Sequence, residues 1–128
     1  MDNDLIRLTA REIRVLLKNR EVSPEELLGA LEARIMEVDD AVNALPTLCF
    51  ERAKERATHQ NYSTTPLKGI PIAIKDLMAV AGVRTTSGSR IYEHHVPDTS
   101  DLLVERLEAN GSIVYAKSNT PEFGAGAN

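Results

Sequence analysis

Lys75 is the residue whose type and position most directly indicate catalysis. It ends a short apolar run, between Ile74 and Asp76, where we expect its ammonium group to be poorly solvated. Burial disfavours the charged form of lysine, and a desolvated lysine can act as a general base near neutral pH. The alternative is that Lys75 extends its stem to the surface or pairs with Asp76.

Two serines, Ser87 and Ser89, lie in the segment Thr-Thr-Ser-Gly-Ser and resemble candidate nucleophiles. Serine and glycine clusters are typical of turns, so neither serine is assigned a catalytic role. A Ser-His-Asp arrangement of Ser89, His94 or His95 and Asp98 is conceivable by residue type alone. Adjacent histidines point in different directions on a helix or strand, which argues against a metal site there. We predict no metal and no other cofactor.

The composition limits the classes of partner. The 128 residues contain 15 Lys and Arg against 19 Asp and Glu, which makes the formal net charge −4. An apolar share of 42% with an aromatic share of 4% predicts an aliphatic core and no base-stacking platform. Mild acidity also argues against a phosphate-backbone partner, so nucleic acid is not expected.

The expected compartment is the cytoplasm. The single cysteine, Cys49, cannot form an internal disulfide, and no basic start followed by an apolar stretch opens the chain. No apolar run approaches the roughly 20 residues that span a bilayer. We therefore expect no membrane partner.

The first half of the chain has helical patterns. Capping-box patterns start at Thr9 and at Ser23 and predict two helices. The predicted elements are a short helix ending near Asn19, a helix over residues 24–38, an edge or irregular strand within residues 42–48 and a helix over residues 50–59.

The second half has the pattern of an α/β unit. We predict a strand over residues 70–74, an amphipathic helix over residues 102–109 stopped at Asn110-Gly111, and a strand over residues 113–116. The connection between these strands is far longer than a hairpin allows. It therefore favours a parallel crossover in an α/β sheet.

Three sub-motifs occur in a fixed order in this half. They are a Gly-x-Pro-x-x-x-Lys-Asp strand end, the Thr-Thr-Ser-Gly-Ser loop, and Lys-Ser-Asn-Thr-Pro-Glu-Phe-Gly after an apolar strand. In this order they resemble the amidase signature family of serine hydrolases over about half the chain. The helical first half is similar in layout to the N-terminal region of that family.

The resemblance implies a fold and a division of the chain. The fold is α/β: N-terminal helices followed by the first strands and crossover helix of a mixed, largely parallel sheet that helices cover, incomplete here. Residues 1–128 would be the N-terminal part of a single amidase domain, with residues 1–65 as its helical region and residues 66–128 as the start of the α/β core.

The resemblance also implies a Ser, cis-Ser, Lys triad that hydrolyses carboxamide C–N bonds of a small-molecule amide. Lys75 matches the lysine, which accepts a proton from the nucleophile through the bridging serine. In the family both serines lie downstream of the region matched by residues 117–128. We therefore expect this chain to carry the base without the nucleophile and to be inactive alone.

Asn119 and Thr120 follow the last predicted strand and are candidates for substrate binding. Either could instead cap a helix with Pro121 at its first position. A place at the carboxyl end of a strand favours a role in lining the substrate cavity. Pro121 favours a free-standing amidase, because the A-subunit branch of tRNA-dependent amidotransferases typically has Asp there.

Other functions stay open. The chain could be the A subunit of a tRNA-dependent amidotransferase, which predicts a partner protein. It could also be a non-catalytic module that binds a partner through unpaired strand edges and an uncovered apolar face. In the family, similar N-terminal helices contribute to dimer contacts, so a homodimer is a further alternative.

Overall fold

The computed structural model of the chain describes residues 2–126. The helices are α1 (Asp2–Leu5), α2 (Ala10–Asn19), α3 (Pro24–Val42), α4 (Phe50–His59) and α5 (Leu102–Ala109). The strands are β1 (Thr47–Leu48), β2 (Pro71–Lys75) and β3 (Ile113–Ser118). Two short 3₁₀ turns cover Arg90–Tyr92 and Glu122–Gly124. Among the described residues, no helix combines the length and apolar character needed to cross a membrane.

Helices α2 and α3 begin where the sequence predicts. Thr9 and Ser23 each accept a hydrogen bond from the backbone N–H three residues on, and the glutamates at those positions, Glu12 and Glu26, accept from the N–H of the cap residue. Each box satisfies backbone donors that a helix start leaves without partners. Pro24 occupies the first turn of α3, where its missing N–H is harmless.

Helix α3 is four residues longer than the sequence analysis predicts. It passes Val38 and ends at Val42, because Asn43 adopts a left-handed conformation with φ of 54°. The carboxylate of Asp39 accepts a hydrogen bond of 2.9 Å from the N–H of Ala44 just beyond the helix. Asp39 and Asp40 therefore belong to the last turns of α3, and Asp39 helps to close it.

The three strands form one mixed sheet in the order β1-β3-β2. β2 runs parallel to β3, and β1 runs antiparallel to it. The connection from β2 to β3 contains α5, so the predicted parallel crossover and α/β class are confirmed. β3 extends two residues beyond its predicted end, to Ser118, and β2 includes Lys75 as its last residue.

The register between β2 and β3 shifts once. Ile72 pairs with Val114 and Ala73 with Ala116, so β3 holds one extra residue, Tyr115, between two consecutive pairs. Such a bulge interrupts the alternation of side chains along the strand. The side chains of β3 after Tyr115 therefore face the opposite side from the one that simple alternation assigns to them.

Apolar side chains pack on both faces of the sheet. One cluster joins the sheet to α3 and α4 and includes Leu28, Ile35, Phe50, Ala53 and Ile113. The other joins it to the crossover and α5 and comprises Ile74, Val80, Val83, Val104 and Val114. The two neighbouring positions Ile113 and Val114 belong to different clusters, as expected for adjacent residues of a strand.

Candidate functional site

Lys75 is the last residue of β2 and pairs in register with Ser118 at the end of β3. Its side chain is exposed, whereas Ile74 before it and Asp76 after it are buried. The Lys75 side chain therefore reaches the surface, which is one of the alternatives that the sequence leaves open, and the poorly solvated ammonium is not found in this chain. The physical reason is that strand alternation directs Lys75 away from the face of Ile74, and that Lys75 is the last residue of β2, at the end of the sheet.

The desolvated lysine is Lys117, which the sequence analysis does not identify. Its relative exposure is 0%. Its Nζ donates hydrogen bonds of 2.5 Å to the carbonyl oxygen of Met78 and 2.9 Å to Oγ1 of Thr85. It also lies 3.3 Å from Oδ1 of Asp76, whose relative exposure is 2%. The acidic neighbour of Lys75 therefore pairs with Lys117, and the suggested Lys75–Asp76 pair is not formed.

Burial and pairing act on Lys117 in opposite directions. Burial lowers the pKa of the Lys117 ammonium below its ordinary value of 10.5, and the nearby Asp76 carboxylate raises that pKa in part. The net direction is downward, because desolvation is the largest contribution.

The bulge explains why the sequence alone does not reveal Lys117. Both Lys75 and Lys117 follow apolar strand residues, so the sequence signal at the two positions is the same. Alternation from Ile113 assigns Lys117 to the face of Ile113 and Tyr115. The register shift instead pairs Lys117 with Ile74, on the face that the crossover covers.

Lys117 is not placed to act as a general base. A base must reach the proton that it removes. The Lys117 side chain is wholly buried, and its ammonium is surrounded by Met78, Thr85 and Asp76. Lys75 is therefore the lysine at this sheet end whose side chain is exposed.

Asp76 ties the Thr-Thr-Ser-Gly-Ser loop to the end of β2. Its carboxylate accepts a hydrogen bond of 3.1 Å from the N–H of Thr86 and one of 2.5 Å from the hydroxyl of the same residue. Thr86 Oγ1 in turn accepts from the N–H of Gly88 at 3.1 Å. The Asp76 N–H donates to the carbonyl oxygen of Ser118 at 2.9 Å. One buried carboxyl residue thus joins β2, β3 and the loop.

The same loop also contacts the segment after β3. The N–H of Phe123 donates to the carbonyl oxygen of Ser87 at 2.8 Å, and the Ser89 hydroxyl donates to Oε1 of Glu122 at 3.1 Å. A Cβ added to Gly88 would lie 2.9 Å from the carbonyl oxygen of Thr120. All three sub-motifs recognised in the sequence therefore meet at one end of the sheet, next to Lys75.

The Ser-His-Asp alternative is not supported by the geometry. The Ser89 hydroxyl bonds to Glu122 and accepts from the N–H of Ile91 at 3.3 Å, where it caps a 3₁₀ turn. The His95 ring packs edge to face on Tyr92 at a centroid distance of 5.7 Å. Ser89 thus has the turn role that the sequence predicts. In the part of the chain that the structure describes, no group of three or more potential metal ligands is found.

Asn119 and Thr120 are not the caps of an α-helix. A 3₁₀ turn follows them, and Pro121 precedes that turn in an extended conformation. The Asn119 side chain donates to the carbonyl oxygen of Asn43 at 3.0 Å and accepts from the N–H of Thr120. Asn119 therefore has a loop-fixing role in place of the capping one. Both residues lie directly after β3, next to the strand that carries Lys75.

A comparison with protein-family models gives a match to the amidase model over residues 26–128, which is more than half of the chain. The chain belongs to the amidase family. Among the relatives that align with nearly all of it are two A subunits of glutamyl-tRNA(Gln) amidotransferase. The one from Thermoanaerobacter pseudethanolicus is 38% identical over 129 residues, and the one from Halothermothrix orenii is 39% identical over 124 residues. Each alignment covers 97% of this chain and 26% of the relative.

Solved structures of amidase-family enzymes have the same fold. The structure of 6-aminohexanoate cyclic dimer hydrolase superposes with a TM-score of 0.81 at 27% identity, over 91% of this chain and 24% of that chain. A crystal structure of an amidase superposes with a TM-score of 0.79 at 29% identity, over 93% of this chain and 28% of that chain. This amidase-family chain thus spans about a quarter of the length of the proteins it matches.

Proposed function

We propose that the protein expressed from its complete coding sequence hydrolyses a carboxamide C–N bond, with Lys75 as the base. The observation that carries the proposal is the position of Lys75. Its exposed side chain stands at the carboxyl end of β2, where the three family sub-motifs converge and where open α/β sheets bind ligands. Asn119 and Thr120 would form part of the substrate wall beside it.

The proposed reaction is an acyl transfer. Lys75 in its neutral form accepts a proton from a bridging serine, which accepts the proton of the nucleophilic serine as its oxygen attacks the amide carbon. The C–N bond then breaks, and the leaving amine takes the proton. Water hydrolyses the acyl-enzyme, which releases the acid and restores the serine. We propose that both serines lie beyond residue 128.

The test is substitution of Lys75 by alanine in the protein expressed from its complete coding sequence. Release of ammonia from small primary carboxamides such as benzamide should fall by about 10²- to 10⁴-fold, as expected for loss of a general base. Lys18→Ala, at an exposed lysine of α2, is the matched control and should leave the rate unchanged. Equal rates for Lys75→Ala and wild type would contradict the proposal.

A second candidate is the A subunit of a tRNA-dependent amidotransferase. The observation in its favour is the 38–39% identity to proteins with that name over 97% of the chain. The inference from Pro121, which favours a free-standing amidase, stays a prediction. Amide hydrolysis by the purified protein alone would favour the free-standing enzyme. Activity that appears only after a partner protein is added would favour the amidotransferase.

A further inference from the structure

We propose that the buried Lys117–Asp76 pair is a positioning device that holds the carboxyl end of β2, and with it Lys75, in a fixed relation to the loop over residues 85–89. The inference rests on the proposed role of Lys75 as the base. Neither Lys117 nor Asp76 would touch the substrate, because both side chains are buried.

Lys117 and Asp76 form an ion pair that is fully buried. Removing a lysine and an aspartate from water is unfavourable unless each charge finds a partner and additional hydrogen bonds. Lys117 has two hydrogen bonds besides the ion pair, and Asp76 accepts two from Thr86. An arrangement of apolar residues would fill the same space without this requirement, so the pair indicates a need for specific geometry.

The Lys117–Asp76 pair connects β2, β3 and the crossover. Asp76 is covalently next to Lys75, and its backbone N–H is held by the carbonyl oxygen of Ser118. Lys117 reaches over the same face to Met78 and Thr85 in the crossover. The backbone that carries Lys75 is thus attached to β3 on one side and to the crossover on the other, so the direction in which Lys75 leaves the sheet is determined.

The bulge at Tyr115 makes this pair possible. It places Lys117 on the face of Ile74, where Asp76 also finds its partners, whereas uninterrupted alternation would place it on the opposite face. Bulges are often found next to active sites, where they redirect a side chain. Here the redirected side chain is the one that pairs with the neighbour of the candidate base.

The test uses Lys117→Met and Asp76→Asn in the protein expressed from its complete coding sequence. Asp76→Asn is the second variant, for use if Lys117→Met does not fold. It keeps the shape of the Asp76 side chain, and Lys117, left without its carboxylate partner, can lose its proton and stay buried as a neutral amine. We expect kcat for benzamide to fall about 10- to 100-fold per folded molecule, with KM changed less than about twofold. A purely structural role would lower the folded fraction and leave kcat per folded molecule unchanged.

A second readout does not depend on activity. Reductive methylation with ¹³C-formaldehyde labels exposed lysines, and loss of one signal in Lys75→Arg identifies the signal of Lys75. In Lys117→Met and Asp76→Asn this signal should move, whereas the signal of Lys18 should not. The proposal is overturned if the Lys75 signal stays at its wild-type position in the variant that folds.

The matched control is Arg52→Met. Arg52 forms a partly buried ion pair with Glu108 at 2.6 Å, and Glu108 lies near the end of α5, before the amino end of β3. This variant breaks a less buried ion pair away from Lys75, and Glu108 keeps Arg56 at 3.6 Å as a second cation, so kcat and the Lys75 signal should both stay at wild-type values. If the wild-type protein hydrolyses no amide while the Lys75 signal still moves, the proposed function fails and the positioning of Lys75 stands.

Discussion

Lys75 and Lys117 are the same residue type near the ends of neighbouring parallel strands, yet they lie in opposite environments. The first has an exposed side chain, whereas the second is buried against an aspartate and two oxygen acceptors. Substitution should therefore separate a chemical role at Lys75 from a positional role at Lys117.

Substitution of each lysine by methionine should have different effects on stability. Lys117→Met leaves the Asp76 carboxylate buried without its cation and should lower the free energy of unfolding by about 3–5 kcal/mol. Lys75→Met changes an exposed side chain and should alter it by less than about 0.5 kcal/mol. Urea unfolding of the two variants beside wild type, all expressed from the complete coding sequence, measures both changes in the free energy of unfolding. Equal losses of unfolding free energy in the two variants would contradict the assignment of Lys117 as the buried lysine and Lys75 as the exposed one.

At the scale of elements, the approach of the loop over residues 85–89 to the segment after β3 can be tested with two glycines. Gly88 and Gly82 both have positive φ, 66° and 75°, so alanine is strained at either position. Only at Gly88 would the new Cβ meet backbone, the carbonyl oxygen of Thr120 at 2.9 Å.

Gly88→Ala should therefore be more destabilising than Gly82→Ala, because only the first variant must also move Thr120. It should also reduce amide hydrolysis in the protein expressed from its complete coding sequence. Thermal unfolding and ammonia release compare the two variants. Similar losses of stability in both would show that the strain in φ, and not the contact with Thr120, dominates.

The capping box of α3 predicts a dependence on pH. Hydrogen bonds from the backbone and hydroxyl of Ser23 lower the pKa of Glu26 below its ordinary value of 4.5. The stabilising contribution of Glu26 is therefore complete above pH 4.5 and is lost as the pH falls through the lowered value in the folded state. Glu26→Gln should reduce this acid sensitivity, and urea unfolding across that range measures it. Glu25→Gln, on the exposed first turn of the same helix, is the control.

These elements differ in how far the sequence alone predicts them. The starts of α2 and α3 depend on residues three positions apart, so the local pattern is sufficient. The bulge at Tyr115 depends on how two strands pair, which no local pattern records. The capping interpretation of Asn119 fails for a related reason, because a distant carbonyl, that of Asn43, takes its amide group. The sub-motifs predict where the site lies, and the burial of Lys117 is visible only in the tertiary structure.

At the scale of the whole molecule, β2 is an edge strand of the described sheet. It forms its ladder with β3, and its other side has no strand within residues 2–126. An open edge of this kind promotes association with other chains.

The 128-residue chain in isolation should therefore associate as its concentration rises and should unfold at a low urea concentration. Size-exclusion chromatography with light scattering measures the first property, and urea titration measures the second. The protein expressed from its complete coding sequence, in which we propose that further residues cover this edge, should associate less. A monomeric 128-residue chain that melts cooperatively at high urea would contradict this prediction.

The order of the strands in space has a consequence for biosynthesis. The central strand β3 follows both of its neighbours in the sequence, so β1 and β2 have no partner while they leave the ribosome. Helices α3 and α4 can form early, but the apolar side chains that they bury against β3 stay exposed in the nascent chain until β3 is synthesised. Until residue 118 emerges, these exposed side chains and the unpaired strands β1 and β2 are prone to aggregation.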